Sequence, residues 1–519
     1  MGKILPYFKK AIIDEIIDNI ISGTSNYYAF AAMSPDAVTN TTFSEVANND
    51  YQTTFVNDWL MLFGKKLTTA DVLPFIDKKM WTSGTKYDAY DNTSDSLLSN
   101  DNYYVITTPD TTGGYYHIYK CIDNNGNTAS TVSPSSIGTP TQLYTFTTIG
   151  DGYKWRYICS ISSFIWDKFS STNYVPIYAN SVVVAAATSY AGVEKLVINN
   201  SGNGYNAYTD GVIGSREIIG SSTLIEIANN ASESSSFYNN SGIYINNPLT
   251  TTSQLFTISN YVHNTAGNWV YTDGVANIDN IVPNSSTYKI SPRVNFYSDG
   301  VEPQAYTNIN TTSNSIASIT LLDIGSDISW CNVQISSLFG SGANVTAIVP
   351  PAGGHGFNPA IELDSKGLVF AFNFSNTESS TIPTANIVYN KIGIIKNPYT
   401  LNANNTKGSI YTSNTFNNLI KATTSYTFSA GQTLIGANSG ARGIVVFANS
   451  TAVHLAGDKG FINGESVTNS TSTSAIATIT VTSIGNIYTK DITPLYVQNI
   501  NNVNRSNTQT EAFKINIQI

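Results

Sequence analysis

Residues 103–126 read YYVITTPDTTGGYYHIYKCIDNNG. Two aromatic and β-branched runs, 103–106 and 115–121, flank Gly113-Gly114, and Asp123-Asn124-Asn125-Gly126 closes the second. Runs of that kind on either side of a glycine pair spell a β-hairpin. The pattern continues with strands over 143–148 and 153–161, joined by the turn Gly150-Asp151-Gly152, and the run 182–187 ends the block. The chain is therefore expected to be mainly β: a multi-domain β-sandwich architecture with a few short N-terminal helices and inserted small β modules.

Working back from the hairpin, the period changes. Ile12, Ile13, Ile16, Ile17, Ile20 and Ile21 recur at helical spacing among Lys9, Lys10, Asp14, Glu15 and Asp18. This reads as an amphipathic helix ended by Ser22-Gly23, rather than a signal peptide or a membrane span. Tyr27, Tyr28, Phe30 and Ala31 read as a short strand, followed by a polar loop through 48–50. Phe55, Trp59, Leu60 and Phe63, then Val72, Leu73, Phe75 and Ile76, predict two short helices separated by Gly64-Lys65-Lys66, with Thr68 or Thr69 as cap.

Working forward, composition shifts after 187. Residues 188–350 are rich in Asn, Ser, Thr and Gly with short apolar runs, and are expected to be an all-β insertion. Within it 193–205 (VEKLVINNSGNGY) and 316–328 (IASITLLDIGSDI) both run from an apolar strand into a glycine turn. A clearer duplication places Phe428, Gly431 and Leu434 in step with Phe461, Gly464 and Val467, Ser439 with Ser472, and Val446 with Ile479. Residues 403–483 are therefore expected to form a duplicated small β module, with turns at Gly431 and Gly464. The division that follows is 1–187 as an N-terminal domain of helices then β-sandwich, 188–350 as the insertion, 351–402 as core continuation, 403–483 as the module, and 484–519 as strands returning to the core.

Chemistry is sparse in this sequence. Among 519 residues, 26 Lys and Arg face 35 Asp and Glu, a net charge of −9 with no basic stretch, which argues against a phosphate-binding surface and hence against a nucleic-acid partner. Charged residues make up 12%, about half the usual quarter, while 32 Tyr, 22 Phe and 6 Trp are too many for a disordered chain. Cys121, Cys159 and Cys331 are far apart and read as thiols in a reducing compartment. His117, His263, His355 and His454 lack metal-ligand spacing, and neither a P-loop nor a Gly-x-Ser-x-Gly elbow is present. The loop Gly353-Gly354-His355-Gly356 alone invites a catalytic reading, but without a nearby nucleophile it is more simply a turn whose imidazole bonds to backbone. The expectation is no catalytic residue, no cofactor, no metal and no small-molecule substrate.

Several strings resemble the baseplate wedge subunit of large contractile-tailed, T-even-type phages, a dimeric, β-rich peripheral protein. They are 59–91 (WLMLFGKKLTTADVLPFIDKKMWTSGTKYDAYD), Tyr119-Lys120-Cys121-Ile122-Asp123, and Gly150-Asp151-Gly152-Tyr153-Lys154-Trp155-Arg156-Tyr157. Farther on come Gly353-Gly354-His355-Gly356, Asn358-Pro359, Glu362-Leu363, residues 392–398, and Gln509-Thr510-Glu511 with Ile515-Asn516-Ile517. The chain departs from the family at Ser34-Pro35-Asp36-Ala37, where a Trp usually follows a Ser-Asp or Glu-Pro pair. Residues 188–350 and 403–483 carry no resemblance. What it implies is a non-enzymatic virion protein of the phage tail, assembled in the host cytoplasm. Such a protein holds neighbouring baseplate wedge proteins together during assembly and forms a homodimer. A receptor-binding or carbohydrate-binding tail adhesin is the alternative, and a polysaccharide depolymerase is a more distant one.

Overall fold

The computed structural model describes residues 6–33, 60–94, 102–111, 113–134, 147–148, 150–187, 191–375, 377, 382–383, 387–469, 472–506 and 509–519. The expected features at 34–37, 48–50, Phe55, Trp59 and 143–146 lie outside the described residues. Strand dominates, arranged in several sheets with a few short helices. The chain divides into two compact units that interleave in sequence: Met1–Ile76 with Phe164–Pro176 and Ser365–Ile519, and Asp77–Ser163 with Ile177–Asp364. Contacts therefore do not follow the compositional step after 187. Residues 77–163 share a unit with most of the insertion, and 1–76 share one with the C-terminal third.

The first unit is built on a five-stranded sheet in the spatial order Thr415–Asn417, Met61–Lys66, Tyr27–Ala32, Ile387–Lys396, Thr493–Arg505. Every residue of Tyr27–Ala32 is buried, because successive side chains point to opposite faces and both faces are covered. Tyr27, Ala29 and Ala31 enter the main core, whereas Tyr28, Phe30 and Ala32 join a smaller cluster with Phe416 and Ile487. A four-stranded sheet, ordered Thr510–Gln518, Gly367–Ser375, Val72–Asp77, Tyr174–Pro176, supplies Leu368, Phe370, Phe372 and Ile515 to the same main core. The helix Pro6–Ser22 packs there through Ile13, Ile16, Ile17 and Ile20, and ends where expected, before Gly23 with φ +68°.

The two short helices expected around Gly64-Lys65-Lys66 are strands. Met61–Lys66 and Val72–Asp77 flank a single 3-10 turn, Thr69–Asp71, in which Thr68 donates from N and Oγ1 to the Asp71 carboxylate at 3.0 and 2.8 Å. Apolar runs this short carry no readable period, and Pro74 inside the second run removes a helical donor. What decides the matter is pairing with Tyr27–Ala32 and with Gly367–Ser375, which lies about 300 residues on. The run 182–187, by contrast, is part of a helix, Ser181–Ala187.

Within this unit the duplicated motif closes on itself. Its seven strands are ordered Ser472–Thr478, Ser466–Asn469, Thr433–Gly436, Arg442–Ala448, Ala452–Gly457, Ile420–Thr423, Thr480–Ser483. The first and last are one stretch of chain interrupted at Ile479, so the sheet forms a small barrel around Leu434, Val445, Val453, Leu455 and Val467. Gly431 and Gly464 occupy matched turns at φ +88° and +80°. Gly431 N donates to Val445 O at 2.8 Å and Gly464 N to Ile479 O at 3.0 Å, so Ile479 matches Val445 and not Val446. A bulge between Val445 and Phe447 accounts for the one-residue slip. The module also starts later than 403: Thr415–Asn417 belongs to the five-stranded sheet, and Ile444, Val446 and Ala456 reach into the main core.

The second unit opens with the hairpin. Tyr104–Ile106, Tyr115–Asp123 and Lys154–Ser162 form consecutive antiparallel strands, with Thr147–Thr148 on the far side. Residues 195–348 make two more sheets. One has six strands, ordered Ser315–Asp323, Gln304–Asn310, Arg293–Ser298, Cys331–Ser336, Ser341–Ile348, Lys195–Asn203. The two look-alike segments are its opposite edges, and Val193 N to Ile324 O (2.7 Å) and Tyr205 N to Asn314 O (2.9 Å) curl them towards one another. The other sheet has seven strands around Ile225, Ile243, Ile258, Tyr261 and Val270.

Candidate functional site

Four of the strings quoted above meet in the second unit. Trp81 Nε1 donates to Ser130 Oγ at 3.1 Å, and Tyr87 packs edge-on against Trp155, which stacks on Tyr153 at 5.4 Å between ring centroids. Asp151, in the turn before Tyr153, accepts from the backbone N of Thr131 (2.7 Å), Val132 (3.0 Å) and Tyr153 (3.1 Å) and from Ser130 Oγ (3.1 Å). Its partial burial works against ionisation, but these donors outweigh it and hold the carboxyl below the usual range.

Beneath this aromatic layer lies a charge cluster. Lys120 and Arg156 sit on the neighbouring strands Tyr115–Asp123 and Lys154–Ser162, directly opposite one another in register. Both are buried, in a sheet with few exposed positions. Lys120 Nζ donates to Glu362 Oε1 at 3.2 Å and lies 3.5 Å above the centre of the Tyr90 ring. Arg156 Nη2 is 3.5 Å from Glu194 Oε1, and His355 Nε2 lies 2.7 Å from that oxygen. The other imidazole nitrogen, Nδ1, bonds to Glu362 Oε1, and Gly356 N donates to Glu362 Oε2 at 2.7 Å. Tyr103 Oη closes the group on the Glu362 backbone carbonyl at 3.2 Å.

Two cations thus face two carboxylates with one imidazole between them. Burial raises both carboxyls, but their partners win. Lys120, His355 and the Gly356 amide hold Glu362 at about 2, and His355, Arg156 and Lys120 hold Glu194 low. Burial in turn lowers Lys120, offset in part by Glu362 and Glu194. The loop carrying His355 needs its glycines for approach rather than chemistry. A Cβ on Gly354 would stand 2.3 Å from Ala187 O, and one on Gly356 would stand 2.7 Å from Ile158 O. The imidazole is therefore wedged between carboxylates, and not bonded to backbone as the sequence suggested.

What this arrangement does is tie together four stretches of chain: Tyr115–Asp123, Lys154–Ser162, Glu194 and residues 355–362. All five ionisable side chains are buried and face one another, an arrangement that fixes geometry. The remaining histidines are elsewhere: His117 between Ser160 Oγ (2.7 Å) and Asp110 Oδ2 (3.1 Å), His263 on Asn268 Oδ1 (2.6 Å), and His454 against the Phe447 ring at 5.0 Å. Cys121 and Cys159 are buried free thiols and Cys331 is a half-buried one. Among the described residues no group of three His, Cys, Asp or Glu is placed to hold a metal ion. Sequence reasoning missed Lys120, Arg156, Glu194 and Glu362 as a set. Its one available signal was a Lys and an Arg in the middle of otherwise apolar strands.

A second buried ion pair closes the first unit, where Arg505 bonds to Glu511 and its Nε donates to Pro383 O at 2.8 Å. Burial raises the Glu511 carboxyl, and Arg505 offsets part of the rise. No family model matches the chain, and no curated protein matches it.

Proposed function

We propose that the chain is a structural subunit of a contractile phage tail, a baseplate wedge protein that acts by contact and pairs with a second copy of itself. The observation that carries the reading is convergence. Four of the strings that resemble the wedge family are spread over about 280 residues, yet 81–88, 119–123, 150–157 and 353–363 supply one aromatic layer and one charge cluster. That separately matched strings share one core supports reading them together.

Two further features support assembly rather than catalysis. The ionisable cluster is buried, and its five side chains face one another rather than solvent. Thr493–Arg505 is an edge strand of thirteen residues, and its first twelve carry no charge. Such an uncharged edge offers its outward N–H and C=O groups to a partner, while Pro494 and two register shifts against Ile387–Lys396 break its ladder into short stretches. Cryo-EM of the intact tail tests the reading. The expected density is at the baseplate periphery in contact with other wedge proteins, with two copies related by a local two-fold axis. Placement at a fibre tip as a trimer would establish the adhesin instead.

A further inference from the structure

Between the six- and seven-stranded sheets of the second unit lies an open cleft of about 520 Å³, within the range of ligand sites. One wall is the seven-stranded sheet, which contributes Phe256 and Asp273. The other is the six-stranded sheet, which contributes Arg293, Tyr297 and Gln304, with Glu302 in the turn before the last of these. A second cavity of about 490 Å³ adjoins it across Tyr306, which lines both. Tyr306 is held in place by stacking on Tyr244, ring centroids 4.7 Å apart at 21°.

The lining has a chemical character. Arg293, Glu302 and Gln304 are exposed, and within the described residues their side chains make no hydrogen bond or ion pair with the rest of the chain. Asp273 uses Oδ1 on the Thr257 amide at 2.9 Å. Tyr297 has half its surface open to solvent while its hydroxyl bonds to Gln334 Oε1 at 3.3 Å, so its ring is presented and anchored at once. Planar side chains with unspent donors and acceptors can each engage two neighbouring hydroxyls. An aromatic ring beside them offers an apolar face to C–H groups. One cation against two carboxylates gives the cleft no attraction for anions.

We propose that this cleft binds a neutral saccharide chain, and the adjoining cavity across Tyr306 calls for an oligosaccharide rather than a single ring. The inference does not depend on the wedge reading, since a tail subunit or any other protein could carry such a cleft.

The test uses the full-length chain on a printed array of neutral and acidic bacterial glycans, followed by calorimetric titration of the best neutral oligosaccharide retained. Expected is saturable binding of at least one neutral oligosaccharide, weakened tenfold or more in Tyr297→Ala and severalfold in Glu302→Gln and Arg293→Ala. Tyr426→Ala, an exposed aromatic of the other unit, should bind as the parent does. All four positions are surface side chains, and unchanged thermal unfolding confirms that each variant is folded. Retention of no neutral glycan, retention of acidic glycans or peptides alone, or equal binding by parent and the three cleft variants would each overturn the proposal.

Discussion

Removing the Glu362 carboxylate should unfold the second unit's core more readily than removing the lysine that faces it. Glu362→Ala deletes the acceptor for Lys120, His355 Nδ1 and the Gly356 amide together. It leaves the Lys120 ammonium buried without its hydrogen-bonding partner, and breaking a buried pair in this way costs about 3–5 kcal/mol. Lys120→Met is milder, at about 1–3 kcal/mol, because Glu362 keeps its two other donors. The double variant Lys120→Met/Glu362→Leu should fall between the two single variants, since the apolar pair removes the unpartnered ammonium but leaves His355 Nδ1 and the Gly356 amide without their acceptor. For a unit of this size about 2 °C of melting temperature corresponds to 1 kcal/mol, so Glu362→Ala should lower its transition by roughly 6–10 °C.

The assay is differential scanning calorimetry with urea melts of the parent and these three variants, with Glu362→Gln added for the pH series. The pH dependence provides a second check. Glu362 is held at about 2 against an ordinary 4.5, so its contribution is fully present above pH 4.5 and is lost as pH falls through about 2. The stability gap between the parent and Glu362→Gln should be flat from pH 7 to 5 and should narrow below 4.5. A loss under 1 kcal/mol for Glu362→Ala, a Lys120→Met cost equal to it, or a gap that widens in acid would refute the account of this cluster.

Three further outcomes are expected. Gly464→Ala meets no atom within 4 Å and pays only for its φ of +80°, a loss of about 1–2 kcal/mol, whereas Gly367→Ala would set a Cβ 1.9 Å from Ile517 O and should disrupt the pairing with the C-terminal strand, seen as a far larger drop in urea midpoint. Excising 420–483 and joining Leu419 to Ile484 through a Gly/Ser linker should leave a folded first unit, because Asn486 N already bonds to Asn417 O at 3.0 Å, but with a lower melting temperature since Ile444, Val446 and Ala456 leave the core; aggregation of the excised form would mean the barrel is indispensable. Leu495→Lys on the open edge strand should weaken self-association in light scattering without shifting the melting temperature, if that edge is where copies meet.

How much of this was legible in the sequence depended on the range of the interaction that decides each element. The hairpin at 103–121, the helix ending at Gly23 and the turns at Gly431 and Gly464 are set by neighbours a few residues away, and each is readable from local chemistry. Met61–Lys66 and Val72–Asp77 are not, because runs of three or four apolar residues suit either structure until a partner is named. Their partners lie in Tyr27–Ala32 and Gly367–Ser375. The same distance hid the charge cluster. His355 drew attention because glycines surround it, yet its meaning depends on Glu194, Glu362, Lys120 and Arg156, and no spacing rule links those positions. A Lys or Arg is almost never fully buried unless it is paired. Local sequence does not show that Lys120 and Arg156 are the buried ones, since Lys154, between Tyr153 and Trp155 in the same strand as Arg156, is exposed. Once the fold buries those two cations, carboxylate partners are required, and which ones they are is fixed by the loop that carries Glu362 and the segment that carries Glu194 folding over the two strands.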